Sequence, residues 1–402
     1  MGRNRDDSSL VDRTGGALEA DALGRIEAGN PERERERVLP FDAIEMVREA
    51  RLGALRLPVE RGGEGVTLRE LLAFVVRLAA ADPNVAQILR MHYFVVETLL
   101  AGVGSSNNET WLRMAAEGAI FGGSLTEIGS GSTGAFEASA FATAVREREG
   151  TLRLDGEKYY STGSMFADVL AITARGIDDS IVTVMVPADR DGVTLEDDWD
   201  SFGQALTGTG TSRFVDVALE PGEIIGEAES IESARYAGPL LQLYLTAVIA
   251  GIMRAAVRDA VALLRGRRRT FSHAPSPRPE EDVILQEGIG RMESAAFAAE
   301  ALVGAAADLL DAAAADPGAA DAVAEASLAA AKAKVIVDRL AGEVGWSLFD
   351  AGGASGVARA AGLDRHWRNA RAVAAHNPAS YKAAAIGDRA INGAPPPQSW
   401  FF

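Results

Sequence analysis

The stretch SLTEIGSGSTG, residues 124–134, decides how the chain is read. Gly129, Gly131 and Gly134 satisfy G-x-G-x-x-G, the spacing that holds a dinucleotide's pyrophosphate on backbone amides at a helix start. That reading requires a helix directly after the glycines. The chain continues instead as AFEASAFATAVREREGTLRLDGEKYY, whose alternation and Asp155-Gly156 pair read as a β-hairpin. It contains no Gly-Lys-Ser/Thr either, so a Walker loop fails as well. The surviving reading is a turn of Ser, Thr and Gly between strands. It offers N–H groups and hydroxyls to a polar ligand edge, or it is an ordinary surface turn.

Working outward, residues 1–30 read as a loosely ordered polar tail and residues 31–118 as a helical domain. Within the latter, Asp82 with Pro83 next to it is a helix start, N-cap then first helical position. Residues 119–228 show short β-branched runs broken by Gly and Asp-Gly, a β domain expected to be barrel-like. Residues 229–402 carry long Ala- and Leu-rich segments at helical spacing, expected as a four-helix bundle. The fold class is α+β.

Composition limits the chemistry. A chain of 402 residues, 48% hydrophobic, can bury a large core. No cysteine is present, so thiolate nucleophiles, disulfides, zinc-thiolate sites and iron–sulfur clusters are excluded, and no metal site is expected. A net charge of −17 argues against a nucleic-acid partner. Neither a secretion signal nor a long uncharged apolar window is evident, so a cytoplasmic protein without a membrane association is expected. One basic cluster, RGRRRTF at residues 265–271, reads as a solvated face or as a phosphate patch.

Taken in order, a helical domain, LTEIGSGS, a β domain containing LDGEKYYSTGSMFADV, and a bundle containing RRRTF, DAGG and RNAR resemble the acyl-CoA dehydrogenase superfamily of flavoproteins over nearly the whole chain. The family pattern T-E-x-G-x-G-S is matched by Thr126, Glu127, Gly129, Gly131 and Ser132. A second family stretch is approximated by Gly156, Lys158, Tyr160, Ser161, Thr162 and Gly163. The resemblance implies that Leu125, Thr126, Gly131 and Ser132 contact the pyrimidine edge and side chain of a flavin, with Tyr160, Ser161 and Thr162 against the rest of the isoalloxazine. It also implies that Arg268, Thr270 and Phe271 reach a neighbouring subunit's flavin phosphate, with Gly352 and Gly353 beside the cofactor. A site completed in trans implies a homotetramer, or at least a dimer.

The chain departs from the dehydrogenases where their proton-abstracting carboxylate should be. Aligned through RNAR, residues 368–371, the chain reads AVAAHNPASYK and places His376 and Asn377 there. The family's alternative location falls near GPLLQLYLTAVIAGI, which holds no acid. Phe349 in LFDAGG stands where a Gln commonly meets the adenosine half of FAD, which favours FMN. These departures resemble the superfamily's monooxygenase branch, which includes dibenzothiophene and alkyl-sulfur monooxygenases. That branch takes reduced FMN from a separate NAD(P)H:flavin reductase and uses O₂ on a small apolar substrate, with sulfur the expected acceptor. His92, on the apolar stripe Ile88, His92, Val95, Leu99, and His376, before a helix break at Asn377-Pro378, are the expected catalytic residues. An isolated His on such a stripe is ordinarily a satisfied core residue, and the resemblance alone argues otherwise. Trp199, Thr209 and Asn377 are candidates for the substrate pocket. The rival readings are an FAD-dependent acyl-CoA dehydrogenase and a non-catalytic helical scaffold.

Overall fold

The computed structural model describes residues 16–102, 106–128, 141–226, 234–316, 318–397, 399, 401 and 402. The first helix, α1 (Ala17–Glu36), corrects the expected tail. Its reason is packing: Ala22 and Ile26 join the core, and buried Glu19 and Arg33 are held by Arg77 and Asp82. Helices α2 (Phe41–Glu49), α3 (Leu68–Ala81), α4 (Pro83–Ala101) and α5 (Ser106–Glu117) complete the N-terminal layer. Thr67 and Glu70 form a capping box before α3. Asp82 caps α4 as expected, accepting from the Asn84 and Val85 amides, with Pro83 at the first position.

Among the described residues the middle of the chain holds eight strands: β1 (Phe121–Ser124), β2 (Ala144–Arg148), β3 (Thr151–Lys158), β4 (Val169–Arg175), β5 (Ile181–Pro187), β6 (Val193–Leu195), β7 (Ser212–Ala218) and β8 (Ile224–Gly226). They form one sheet in the order β6-β7-β3-β2-β4-β5-β8, with β1 parallel to β4. The edges β6 and β8 are not paired with each other, so the sheet is open rather than closed into a barrel. The β2–β3 hairpin turns at Glu149-Gly150, both with positive φ (53° and 75°), as a tight two-residue turn requires. Asp155-Gly156, expected to be that turn, is instead a bulge inside β3, where a side chain at 156 would run into Thr143.

The C-terminal layer comprises α6 (Ala237–Gly266), α7 (Val283–Ala315), α8 (Ala320–Gly356), α9 (Asp364–Ala374) and α10 (Ala379–Asn392). Three long helices and the α9–α10 pair make the bundle. Helix α6 is its axis, packing on α8, α7, α9 and the N-terminal α3 and α4. It is long and apolar enough to cross a membrane, but its apolar window is 94% buried in protein. All-round apolarity here marks a core helix.

Candidate active site

The motif residues 124–126 leave β1 along the edge of β3's exit. The Tyr159 amide donates to the Thr126 carbonyl at 2.8 Å, so the two stretches separated in sequence run side by side. Lys158 anchors them from below. Its fully buried Nζ donates to the Leu125 carbonyl (3.2 Å) and Glu127 Oε1 (2.7 Å) over the ring of Phe141. Glu127 also accepts from the Ala142 and Thr143 amides. Burial lowers the Lys158 pKa to about 8, partly offset by Glu127. Burial raises the Glu127 carboxyl, but Lys158 and the Thr143 and Ala142 bonds outweigh it and hold it below the ordinary value.

Above this strut lies a cavity of about 910 Å³, large enough for a flavin ring and a second small molecule. Leu125, Thr126, Tyr160 and Thr162 line one wall; Arg90, Met91 and Phe94 of α4 line another; Leu241, Gln242, His376 and Phe401 line the bundle side. Trp199 and Thr209 also border it. Tyr160 sits in the left-handed region (φ 56°), a strained conformation that holds its ring edge-on to Trp199 at 5.6 Å. Thr209 Oγ1 donates to Thr162 Oγ1 (2.9 Å), Thr207 and Thr209 hydroxyls share a bond (2.6 Å), and Thr207 donates to the Gln204 carbonyl (2.8 Å). The Gln204 side-chain amide and Gln87 Oε1 belong to residues lining the same cavity and are buried without partners among the described residues. Hydroxyls, free amide groups and backbone edges set around an apolar slot fit a ring with alternating donors and acceptors. Gly131 and Ser132 lie outside the described residues, as do Gly129 and Gly134.

The threonine loop is fixed by a polar hub that sequence reading missed. The Gln204 backbone amide donates to Asn369 Oδ1 (2.6 Å), and Glu34 on α1 accepts from both Asn369 and Asn84 side chains (2.6 and 2.7 Å). Asn369 belongs to RNAR, so that motif's role is to seat the loop from α9. Burial pushes the Glu34 carboxyl up despite these bonds.

His92 does not line the cavity. It is 0% exposed and both ring nitrogens are satisfied: Nδ1 accepts from the Phe121 amide (3.1 Å), which leaves Nε2–H to donate to the Gly53 carbonyl (2.8 Å). Burial lowers its pKa to about 4. The expected catalytic role is corrected to a clamp that ties β1 to residues 52–54. Ser161 is corrected too: it is buried, off the cavity, and its hydroxyl has no partner among the described residues.

His376 does border the cavity and is an exposed residue. Phe401 stacks on its ring at 5.5 Å, and Arg90 Nη1 approaches Nε2 at 3.4 Å, so Nε2 is the acceptor and Nδ1 carries the hydrogen. Surrounding protein, then the charges of Arg90, Lys334 and Lys382, push its pKa well below the ordinary imidazole value. Asn377 was expected to cap the next helix and line the pocket. Instead Pro378 precedes α10 without a side-chain cap, and Asn377, buried behind Phe401, donates to Gln242 Oε1 and to the Phe401 carbonyl (3.0 Å).

Arg268, Thr270 and Phe271 come after α6 on the outer surface and do not border the cavity. Arg268 makes no ion pair among the described residues. Gly352 is buried, and Gly353 breaks the helical geometry of α8 (φ 53°, ψ −150°) beside the Arg267 side chain. These residues form a second cluster, away from the Leu125–Thr162 wall.

Comparison with known proteins places this geometry. The family described as "Acyl-CoA dehydrogenase, middle domain" matches residues 122–217, and "Acyl-CoA dehydrogenase, C-terminal domain" matches residues 243–381, together more than half the chain. A dibenzothiophene monooxygenase of Mycolicibacterium goodii is 28% identical over 87% of this chain and 86% of its own. A Pseudomonas putida protein provisionally described as the FMNH2-dependent monooxygenase SfnC is 26% identical over 96% of this chain and 93% of its own. The structure of methanesulfinate monooxygenase MsuC from Pseudomonas fluorescens superposes with a TM-score of 0.87 at 26% identity, covering 96% of this chain and 100% of that one. On the two matched domains and the shared three-layer architecture, the chain belongs to the acyl-CoA dehydrogenase superfamily.

Proposed function

We propose that this protein is the oxygenase of a two-component flavin system. It is an oxidoreductase that takes reduced FMN from a separate NAD(P)H:flavin reductase and, with O₂, adds one oxygen atom to a small substrate at sulfur. The other oxygen atom leaves as water and FMN leaves oxidised. The observation that carries this reading is the Gln242–Asn377 pair. The two sequence stretches where a dehydrogenase of this superfamily holds its carboxylate meet in space, and both contribute amides bonded to each other. An amide cannot take the α-proton of a thioester. The one carboxylate bordering the cavity among the described residues, Glu127, is engaged by Lys158 and two backbone amides.

When bound, reduced FMN supplies the electrons that activate O₂. The chain's own groups do the rest. The wall of Leu125, Thr126, Tyr160 and Thr162 grips the ring, a role the family resemblance also assigns to Gly131 and Ser132. Met91, Phe94 and Leu241 keep water out of the reacting volume. His376, neutral at pH 7, presents Nδ1–H as a hydrogen-bond donor without supplying a loose proton. Arg268, Thr270 and Phe271 hold the phosphate of a neighbouring subunit's flavin, with Gly352 and Gly353 packed beside it, in a cytoplasmic homotetramer. Their position on the outer surface, off the cavity of their own chain, supports that assignment. Incubation with reduced FMN, ¹⁸O₂ and a panel of sulfur compounds tests the proposal. One labelled oxygen per product molecule is expected; bleaching of bound FAD by an acyl-CoA, with no label transfer, overturns it.

A further inference from the structure

Arg90 is 7% exposed and lines the cavity, yet no carboxylate pairs with it among the described residues. Its Nε donates to the Leu241 carbonyl (3.1 Å), Nη1 meets the neutral His376 at 3.4 Å, and Nη2 has no partner among the described residues. Every other guanidinium of comparable burial among them is neutralised: Arg33 by Asp82 and Asp42, Arg365 by Asp259. The other ionisable groups on the cavity wall do not compensate. Glu127 belongs to Lys158, and Arg371, the other guanidinium on the wall, is exposed to solvent, so the buried surplus is that of Arg90. In a chain of net charge −17, a surplus of positive charge inside one apolar chamber is an uncompensated cost unless a ligand brings the anion. Burial lowers the Arg90 pKa only to about 10, so it stays charged at pH 7.

The position favours a substrate over the flavin as the source of that anion. Arg90, on the α4 wall, bonds to the Leu241 carbonyl and meets His376 of the bundle side, whereas the flavin-gripping motifs lie on the sheet side. Gln87, one helical turn before Arg90 on α4, brings an unpartnered buried Oε1 to the same chamber.

We propose that Arg90 is a specificity-determining residue that binds an oxyanion on the substrate, so that the protein oxygenates small alkanesulfinates in preference to neutral sulfur compounds. A planar guanidinium with free N–H groups holds two oxygens of a sulfinate side by side. The balanced reaction is RSO₂⁻ + FMNH₂ + O₂ → RSO₃⁻ + FMN + H₂O, in which sulfur gains one oxygen atom, O₂ is reduced by the flavin's two electrons, and water carries off both flavin hydrogens.

This inference rests on the oxygenase reading, and the two fail separately. Propane-1-sulfinate and its neutral analogue dipropyl sulfoxide are titrated calorimetrically into the flavin-free wild-type protein and into Arg90→Met and Arg90→Lys, and turnover with reduced FMN is measured on each. The expected result is sulfinate binding at least tenfold tighter than sulfoxide in the wild type, lost in Arg90→Met and partly restored in Arg90→Lys, with reduced-FMN affinity unchanged. Sulfinate binding without oxygenation would sink the oxygenase reading and leave the anion site standing. Equal binding of both compounds, or a loss in Arg90→Met that falls on reduced FMN instead, overturns the anion site. Circular dichroism melts of both variants show whether the fold is intact, and the Lys variant carries the test if Arg90→Met unfolds.

Discussion

His92 and His376 look alike in the sequence, and their surroundings give them opposite work. His92 is locked between the Phe121 amide and the Gly53 carbonyl, and protonating Nδ1 would set two donors against each other in a dry site. Its folded pKa of about 4 lies below the unfolded value near 6.5, so the unfolded chain binds more protons between those values. Stability is therefore full above about pH 6.5 and falls as pH drops toward 4, by roughly 3 kcal/mol from this residue alone. Urea unfolding at pH 7.5 and pH 5 checks this, with His92→Asn flattening the difference. That variant should lose about 2 kcal/mol at pH 7.5 through its broken bonds, while turnover per folded molecule stays within about twofold. His376→Ala should do the reverse: near-native stability, turnover down at least tenfold, reduced-FMN affinity little changed. A large turnover loss in a well-folded His92→Asn would return His92 to the chemistry.

At the scale of elements, the flavin wall depends on a strut beneath it. Lys158 and Glu127 sit in the two motifs and hold the strand exits 125–127 and 158–160 together. Lys158→Met should weaken reduced-FMN binding by at least tenfold in fluorescence titration, with a smaller effect on global stability. Glu127 is held below its ordinary pKa, so its contribution is complete above about pH 4.5 and is lost as pH falls through the folded value; flavin affinity should decline in that acid range. Unchanged affinity in Lys158→Met would mean that the wall is rigid without it. Some local signals were legible: the Asp82-Pro83 helix start fell where the spacing put it, and the chain does break after α9, although Pro378 rather than Asn377 precedes the next helix. Partnerships across the chain were not. Glu34 meets Asn369 across 335 positions, and no periodicity announces that bond. Arg90 lies two residues from His92 on the opposite face of α4, and only the fold shows which of those faces is chamber and which is core. The Asp155-Gly156 pair misled because a bulge and a hairpin turn both recruit glycine.

On the scale of the whole molecule, three layers enclose one chamber that belongs jointly to all of them, and a second cluster around Arg268 and Gly353 lies on the outer face. If that cluster serves a neighbour's flavin phosphate, Arg268→Ala should raise the Kd for FMN severalfold while leaving turnover at saturating FMN intact. Light scattering of the wild type should give four chains per particle. A monomer that retains full FMN affinity would remove the trans site. The account as a whole turns on oxygenation by a chamber that has amides where its dehydrogenase kin have an acid. The most direct measurement is mass spectrometry of the product formed from a sulfur substrate with reduced FMN under ¹⁸O₂. Incorporation of one ¹⁸O atom, with none taken from H₂¹⁸O in the converse experiment, is the predicted result. Product without label, or an enoyl thioester formed from an acyl-CoA, would contradict it.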